Sequence, residues 1–270
     1  MANPVSRTAW YCCGVRAQDA TRSRPILGDR YAARFMDEAG TRVFAGFASM
    51  KFPNRSNVVR HLVIDEWLRA ALARDPRQFV ALIGCGFDAR AYRLGGGRWL
   101  ELDEPPLIAM KNERLPVAEC PVPLARVAID FTTQQVADVL APWSTEVGPI
   151  VVVEGVLMYL DRARIDALLS TLKRVWPTHR LIVDLMNQTF RKRYAGPILD
   201  EIGKLGAAFT WTVPDPQEPF RTAGYRELRR TSQVERACEL GALRIPWLLR
   251  RTLLRPLVEG YTCREFQFGD

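Results

Sequence analysis

The chain has 270 residues, of which 48% are hydrophobic and 25% are charged. This composition is typical of a soluble globular protein that buries one large core. No apolar run approaches the roughly 18 residues that a membrane helix requires, and the first residues lack the basic and apolar pattern of a secretory signal. We therefore expect a cytoplasmic protein without a membrane span.

The net charge of +8 raises the question of an anionic partner. Arginines far outnumber lysines, but they are spread along the whole chain, which a GC-rich coding bias also produces, and we expect no nucleic-acid partner. In the C-terminal third, arginines alternate with apolar residues, which suits either an amphipathic face near an anionic partner or a helix with a solvated basic face. These arginines are Arg226, Arg229, Arg230, Arg236, Arg244, Arg250, Arg251 and Arg255.

The six cysteines form no C-x-x-C pair, and the chain contains two histidines, His61 and His179. This distribution lacks the spacing of a metal site. We predict free thiols, no bound metal ion and no zinc-dependent hydrolysis.

A helix is predicted over residues 58–73, where apolar residues recur at helical spacing, and it leads into a strand at 79–83 that is wholly apolar and ends at Gly84. Further strands are predicted at 99–103, 125–130, 149–154, 180–185, 225–231 and 261–268. Helix-like stretches at 105–115, 133–140 and 162–175 separate the middle strands. Such alternation predicts an α/β fold with a parallel sheet, to which the last strand is expected to add in the antiparallel direction.

Two further regions frame this sheet. Residues 1–57 are rich in aromatic side chains, and we expect them to form a helical cap over a sheet domain of residues 58–270. An insertion at about 188–224 is predicted to act as a lid, with a helix at 191–205, and two short helices are expected after the sixth strand. The lid's apolar side chains indicate an aromatic or lipophilic ligand. They are Ile198, Ile202, Phe209, Trp211 and Phe220.

Glycines and acids follow the first two strands, at the edge where open parallel sheets bind ligands. Gly84 and Gly86 allow close approach of a ligand, and Glu101 and Asp103 can accept hydrogen bonds from a ribose. Taken singly, a packing turn and a solvated strand end explain these residues equally well. Position 89 is alanine where a dinucleotide site has its third glycine, and no phosphate-binding Gly-Lys pair is present. The pattern therefore favours a nucleoside without phosphates, S-adenosylmethionine.

Five segments keep the order and spacing of known motifs: Arg60 with Ile64 and Asp65; 79–94 (FVALIGCGFDARAYRL); 99–103 (WLELD) with Pro105 and Lys111; 127–131 (VAIDF); and 153–160 (VEGVLMYL). They resemble the leucine carboxyl methyltransferase-like family of class I S-adenosylmethionine-dependent methyltransferases. The resemblance runs from about Thr8 to Phe268, and its tail is more similar to the bacterial tetracenomycin-type O-methyltransferase branch than to the eukaryotic phosphatase-modifying enzymes. It implies a Rossmann-like, mostly parallel sheet with an antiparallel C-terminal strand, a helical N-terminal cap and a lid insertion.

The resemblance also implies how S-adenosylmethionine is bound. Arg60 would hold the methionine carboxylate, and Glu154 would contact the methionine amino group. Gly84 and Gly86 would pass beneath the methionine and the ribose. Asp103 would accept the ribose hydroxyls, with Glu101 beside it.

The remaining assignments concern the adenine and the acceptor. Asp130 would accept the exocyclic amine, and the ring of Phe131 would pack on the base. Arg16 would close over the cofactor, and Asp88 would fix the glycine loop or lie at the surface. Tyr159 is the candidate catalytic residue facing the acceptor, or else part of the core. Asn187 and Gln188 would reach the substrate or cap the next helix.

Methyl transfer from a sulfonium is an in-line displacement with a neutral leaving group, so the protein supplies mainly proximity and alignment. A carboxylate needs no general base, whereas a phenol does, and neither histidine lies at the carboxyl end of a predicted strand. We therefore predict a methyl ester on a small natural-product, polyketide-like acid, with S-adenosyl-L-homocysteine as the second product. The alternatives are methylation of a phenol or alcohol, N- or C-methylation, and a catalytically silent partner protein. The sequence leaves the oligomeric state open.

Overall fold

The computed structural model describes residues 4–211 and 213–270 and contains a seven-stranded sheet. The strands are β1 (Phe79–Ile83), β2 (Arg98–Asp103), β3 (Leu124–Ala128), β4 (Ile150–Val153), β5 (His179–Met186), β6 (Arg226–Ser232) and β7 (Tyr261–Phe268). Each predicted strand is present, with bounds that differ by two residues at most.

The spatial order of the strands is β3-β2-β1-β4-β5-β7-β6. Strands β1 to β5 are parallel to one another, and β7 is antiparallel to both β5 and β6. The predicted mostly parallel sheet with an antiparallel C-terminal strand is therefore confirmed. Between β1 and β4 the order of the strands reverses, and such a switch point opens a cleft at the carboxyl ends of the strands.

The helices of the described residues surround this sheet. They are α1 (Pro4–Ala20), α2 (Glu38–Ala45), α3 (Lys51–Arg74), α4 (Arg90–Arg93), α5 (Pro105–Arg114), α6 (Val136–Leu140), α7 (Arg162–Val175), α8 (Gln188–Tyr194), α9 (Gly196–Lys204), α10 (Glu218–Thr222), α11 (Gln233–Glu239), α12 (Trp247–Arg251) and α13 (Arg255–Glu259). Among residues 4–211 and 213–270, no helix combines the length and apolar character needed to span a bilayer.

Strand β1 is buried on both faces of the sheet, and its alternate side chains point to opposite sides. Val80 and Leu82 of β1 belong to one apolar cluster together with residues of α3. Ala81 and Ile83 belong to a second cluster, together with residues of α7. This two-sided packing explains why β1 is apolar at every position.

The lid helix differs from its prediction. The stretch predicted as one helix over 191–205 forms two helices, α8 and α9, which meet at Ala195. Pro197 lies in the first turn of α9, where its missing N–H costs nothing, whereas inside a continuous helix it would break a hydrogen bond. Three short helices, α11 to α13, follow β6 in place of the two expected.

Of the predicted cap, the described residues 4–57 include α1, α2 and the start of α3, and α1 packs against both other helices. The predicted boundary between residues 57 and 58 falls inside α3, which is continuous from Lys51 to Arg74. The cap and the sheet therefore share a helix, and the division into two domains stays a prediction.

Candidate functional site

A cavity of about 380 Å³ lies at the switch point between β1 and β4. We call it the polar cavity. Six of the residues predicted to bind the cofactor line it, namely Arg60, Gly84, Gly86, Asp103, Phe131 and Glu154. Tyr159, Arg16 and Asp88 line it as well. Glu101 and Asp130 do not line it, and each has a different role.

The loop after β1 adopts a conformation that favours glycine. Gly84 and Gly86 have φ angles of +71° and +47°, and a Cβ on Gly84 would lie 2.5 Å from a methyl carbon of Val156. The N–H groups of Gly84 and Cys85 donate to the carbonyl oxygen of Leu102, at 2.9 and 3.0 Å. The loop is therefore fixed against the end of β2, with its backbone exposed to the polar cavity.

Asp103, at the end of β2, accepts hydrogen bonds from the backbone around the cavity. Its Oδ2 accepts a hydrogen bond from the N–H of Gly86 at 2.6 Å, and its Oδ1 accepts one from the N–H of Glu104 at 2.7 Å. Burial raises the pKa of Asp103 to about 6, although these two hydrogen bonds oppose the shift. Each carboxylate oxygen can accept a second hydrogen bond, which suits the two hydroxyls of a ribose.

Glu101, predicted to lie beside Asp103 at the cofactor, is absent from the lining of the polar cavity. Its side chain is fully buried and pairs with Lys111 Nζ at 2.8 Å and Arg126 Nε at 2.7 Å. Glu101 shares a face of β2 with Asp103 but lies one side-chain repeat, about 6.6 Å, before the end of the strand. It therefore neutralises two buried cations and is absent from the lining of the polar cavity.

Asp130 also lies outside the cavity lining. Strand β3 ends at Ala128, and the Asp130 side chain accepts hydrogen bonds from the N–H and the hydroxyl of Thr132, at 2.9 and 2.5 Å. These hydrogen bonds lower the pKa of Asp130. The carboxylate thus stabilises its own turn, and the structure gives no support to its assigned contact with adenine. The neighbouring Phe131, 40% exposed, does line the polar cavity.

Arg60 lies at the centre of a buried ionic network. Its Nε donates to Glu154 Oε1 at 2.9 Å, and its Nη1 donates to the Tyr261 hydroxyl at 2.8 Å and to Asp184 Oδ2 at 3.4 Å. Asp184 in turn accepts hydrogen bonds from the Gly155 N–H and from the Tyr261 hydroxyl, both at 2.6 Å. Sequence reasoning missed Asp184, although a single acid inside the apolar strand β5 was a signal for it.

Glu154 carries a negative charge in this network. Its burial alone would raise its pKa, but the charges of Arg90, His61 and Arg60 outweigh that effect and hold the pKa well below its ordinary value. The Arg90 guanidinium lies 2.7 Å from Glu154 Oε2 and is itself fully buried. The group expected to contact the methionine amine is therefore an ionised, preorganised acceptor.

His61 lines the polar cavity, contrary to the expectation that it lies away from the strand ends. Its Nε2 is 2.9 Å from Arg93 Nη2, and its Nδ1 is 3.3 Å from Glu154 Oε1. A guanidinium only donates, so we assign the imidazole proton to Nδ1. Burial lowers the pKa of His61. Both ring nitrogens are occupied, and His61 is therefore not positioned to act as a base.

His61, Asp88 and Glu154 could hold a metal ion by distance alone, since their ligand atoms lie within 4.8 Å of one another. Arg90 already serves as the cation of this group, because its guanidinium pairs with both Asp88 and Glu154. The donor set is thus neutralised by protein.

Arg16 pairs with Asp29 at 3.1 Å and donates to the carbonyl oxygen of Phe87 at 2.7 Å, which ties α1 to the glycine loop.

A second, smaller cavity of about 70 Å³ adjoins the first and is hereafter the apolar cavity. It lies between α1, α3, the 3₁₀ turn at Leu157–Tyr159 and the lid helices α8 and α9. The residues that line both cavities are Thr8, Cys12, Arg60, Gly155 and Tyr159. We call these five residues the junction.

Three of the five apolar residues of the predicted lid line the apolar cavity, and two do not. Ile198, Ile202 and Phe209 line the apolar cavity. Phe220 instead stacks on Phe266 of β7, with ring centroids 4.7 Å apart, and Trp211 belongs to the same core cluster. These two rings therefore stabilise the sheet.

Tyr159 lies at the junction, and its ring meets Phe209 edge-on at 5.1 Å between centroids. Burial raises the pKa of Tyr159, so its hydroxyl is protonated at neutral pH.

Asn187 caps α8, because its Oδ1 accepts a hydrogen bond from the N–H of Phe190 at 2.8 Å. His179 lies away from both cavities and bonds the Tyr225 hydroxyl at 2.8 Å.

The chain is similar to known proteins over most of its length. Residues 9–173 match the family described as leucine carboxyl methyltransferase. The chain is 27% identical to a putative S-adenosyl-L-methionine-dependent methyltransferase of Mycobacteroides abscessus, with 89% of each chain covered. It is 26% identical to the tetracenomycin polyketide synthesis O-methyltransferase of Streptomyces glaucescens, with 82% of this chain and 80% of that protein covered.

Among solved structures, a DUF574 family protein from Streptomyces avermitilis superposes with a TM-score of 0.59 at 14% identity, with 88% of this chain and 95% of that chain covered. The methyltransferase domain of the bacterial protein CtHen1 superposes with a TM-score of 0.51 at 14% identity, with 77% of this chain and 100% of that chain covered. At this level of identity the two likenesses concern the fold.

Proposed function

The chain belongs to the leucine carboxyl methyltransferase family and is an S-adenosylmethionine-dependent methyltransferase, and from this premise we propose that it methylates a carboxylate oxygen of a small aromatic or lipophilic acid. The polar cavity is the proposed donor site, and the apolar cavity is the proposed acceptor site.

The residues of the polar cavity fit the donor. The carboxylate of Asp103 keeps acceptor capacity for hydroxyl groups, and the loop backbone at Gly84 and Gly86 lines the cavity without side chains in between. Arg60 would pair with the methionine carboxylate, and Glu154 would accept from the methionine amine. When bound, S-adenosylmethionine supplies a methyl group on a positively charged sulfur that leaves as a neutral thioether.

The observation that carries the proposal is the junction. A polar cavity with buried charges and an apolar cavity lined by rings share Thr8, Cys12, Arg60, Gly155 and Tyr159. A donor in the first cavity and an acceptor in the second would meet there, which provides the proximity and alignment that an in-line displacement requires.

The protonation states near the junction favour an acceptor that is already ionised. Tyr159 has a raised pKa, and both nitrogens of His61 are occupied by Glu154 and Arg93. Arg60 does not lose its proton in a protein. A phenol would need a base at this point, whereas a carboxylate would not. The tetracenomycin relative, named as an O-methyltransferase of polyketide synthesis, supports oxygen as the acceptor atom and a polyketide-like substrate.

The acceptor cavity must enlarge to receive a ring. Its volume of about 70 Å³ is less than half of the roughly 150 Å³ that accommodates benzene in an engineered protein cavity. Helices α8 and α9 form one wall and are short, with a break at Ala195. We propose that these two helices move outward when the acceptor enters.

The test is incorporation of label from S-adenosylmethionine carrying a radioactive methyl group, with aromatic acids, fatty acids and the matching phenols offered separately. A methyl ester releases volatile labelled methanol in alkali, whereas ethers, N-methyl and C-methyl products keep the label. We expect alkali-labile label with at least one acid. Turnover that gives only alkali-stable label would contradict the carboxylate assignment while leaving the methyltransferase activity intact.

A further inference from the structure

Large apolar side chains are exposed together on one segment of the described chain. Trp247, Leu248 and Leu253 are 59%, 63% and 76% exposed, and Leu249 is 40% exposed. All four lie within seven consecutive residues on and just after helix α12. We call the segment from Arg244 to Arg255 the α12 surface.

The α12 surface is also strongly basic. The chain contains no Asp or Glu between Glu239 and Glu259. Arg236 and Arg255, near the two ends of this stretch, are paired with acids. Within residues 4–211 and 213–270, the structure gives no ion pair to the three remaining arginines, which are Arg244, Arg250 and Arg251.

Apolar and positively charged side chains lie side by side on the α12 surface. The guanidinium of Arg251 lies 5.3 Å from the ring centroid of Trp247, so charge and ring project side by side. On the inner side, Ile245 and Leu254 pack against the apolar cluster that also contains Phe190 of the lid. The α12 surface is thus anchored to the fold from beneath while its outer side chains reach solvent.

Helix α8 carries two further exposed cations. Helix α13 contacts both α12 and α8, and α8 carries the exposed residues Lys192 and Arg193. Exposed cations are thus present both on the α12 surface and on a helix that α13 links to it. A protruding apolar centre with a basic surround is the arrangement of segments that lie in the interface of an anionic membrane.

We infer that the α12 surface docks the protein on an anionic lipid bilayer. Trp247, Leu248 and Leu253 insert among the headgroups and upper acyl chains, while Arg250 and Arg251 contact lipid phosphates. A symmetric dimer through this surface is disfavoured, because it would bring the unpaired arginines of both copies together. A fluid bilayer accepts protruding side chains without the matching pockets that a folded protein partner must provide.

The test is sedimentation of the full chain with vesicles of phosphatidylcholine alone and with vesicles of equimolar phosphatidylcholine and phosphatidylglycerol. We expect binding to the anionic vesicles to be about tenfold or more stronger than to the neutral ones, and to weaken as salt is raised. The double variant Leu248→Ser/Leu253→Ser should lose most of this binding. The matched control is Val147→Ser, which removes an equally apolar side chain that is 90% exposed elsewhere.

Charge is tested in the same way. Arg250→Gln/Arg251→Gln should weaken binding to the anionic vesicles and flatten its salt dependence, whereas Arg24→Gln, at another exposed arginine, should change neither. All variants should keep the affinity for S-adenosylhomocysteine and the melting temperature of the parent, which establishes that they are folded.

Three outcomes overturn the inference. The first is that the parent protein fails to bind anionic vesicles. The second is that the serine variants bind as well as the Val147 control. The third is that the serine variants change the oligomeric state, or abolish capture by an acidic carrier protein, while the parent ignores vesicles; the α12 surface would then be a protein interface.

Discussion

The two cavities differ in what forms their walls. Ion pairs and hydrogen bonds hold the groups that line the polar cavity. Examples are the ion pairs of Arg60 with Glu154 and Asp184, and the hydrogen bonds of Asp103 to the backbone. The apolar cavity is lined mainly by rings and aliphatic or thioether chains, among them Tyr11, Phe52, Phe190, Ile198 and Phe209. Under the proposed function, the first would select its ligand by charge and hydrogen bonding, whereas the second would select by shape. Substitutions in the two regions should therefore separate cofactor affinity from acceptor choice.

The strongest challenge to this separation is Arg60, which belongs to both cavities. Arg60→Ala removes the cation of Glu154 and Asp184, and loss of one partner from a buried pair costs about 3–5 kcal/mol. We expect a markedly lower melting temperature and S-adenosylhomocysteine binding weakened by about 10- to 100-fold, measured by calorimetry below the melting transition. Arg60→Lys, which keeps the charge, should recover part of both losses. Unchanged affinity in Arg60→Ala would remove Arg60 from the donor site.

Two acids on β2 sharpen the comparison further. Asp103→Ala should weaken S-adenosylhomocysteine binding by at least about tenfold, because the ribose loses a charged acceptor, while the fold remains intact. Glu101→Ala should do the reverse, since it leaves Lys111 and Arg126 unpaired at a cost of about 3–5 kcal/mol of the free energy of unfolding. Calorimetry and thermal unfolding of both variants measure the two effects. An Asp103→Ala protein with parental affinity would refute the ribose contact.

The pH dependence of cofactor binding follows from Asp103. Its pKa in the folded protein is raised to about 6 by burial, so the carboxylate is largely ionised at pH 7.5 and largely protonated at pH 5. Affinity for S-adenosylhomocysteine should therefore fall as the pH is lowered through about 6, by at most about tenfold per pH unit, the limit for one linked proton. Asp103→Asn should bind weakly at every pH, without this slope. A parent protein with constant affinity from pH 7.5 to 5 would contradict the assignment.

The apolar cavity is tested by two buried phenylalanines. Phe209→Ala and Phe220→Ala should each cost about 3–5 kcal/mol of stability, because both remove a buried ring. Only Phe209 lines the apolar cavity, so only Phe209→Ala should change the relative rates with acids of different size. Both should retain cofactor affinity within about twofold of the parent. A shared change in acceptor range would mean that general destabilisation, not cavity shape, sets the choice.

The smallest effect is expected at Tyr159. Tyr159→Phe removes the hydroxyl but keeps the edge-on contact with Phe209, so stability and cofactor affinity should stay near parental values. If the hydroxyl contacts the acceptor, KM for the acid should rise by a few-fold, about 1 kcal/mol or less, with kcat less affected. A collapse of kcat instead would show a chemical role that the raised pKa of Tyr159 does not suggest.

The sheet was predictable because its strands carry an unmistakable pattern. The apolar run of β1 is buried on both faces, and the glycines and acids that follow β1 and β2 lie at the strand ends, where a ligand can be reached. Gly84, Gly86 and Asp103 are therefore identified by position along the chain alone. The family motifs added Arg60 and Glu154, which do line the polar cavity.

The burial of individual polar side chains and the contacts between residues distant in sequence were not predictable in the same way. Glu101 and Asp103 are two residues apart and chemically alike, yet only the packing of Lys111 and Arg126 decides that Glu101 is a buried ion-pair partner. The contacts of Glu154 with His61 span 93 residues of sequence, and no local pattern encodes them.

The sequence by itself therefore determined the α/β sheet, the order of its elements and the glycine loop, because periodicity and strand-end chemistry are local properties. Only the tertiary structure decided which acid faces the cavity, that both nitrogens of His61 are occupied, and that the lid helices close a small apolar cavity against the donor site. These features depend on which distant side chains neutralise or pack against one another, and burial assigns those partners only once the chain has folded.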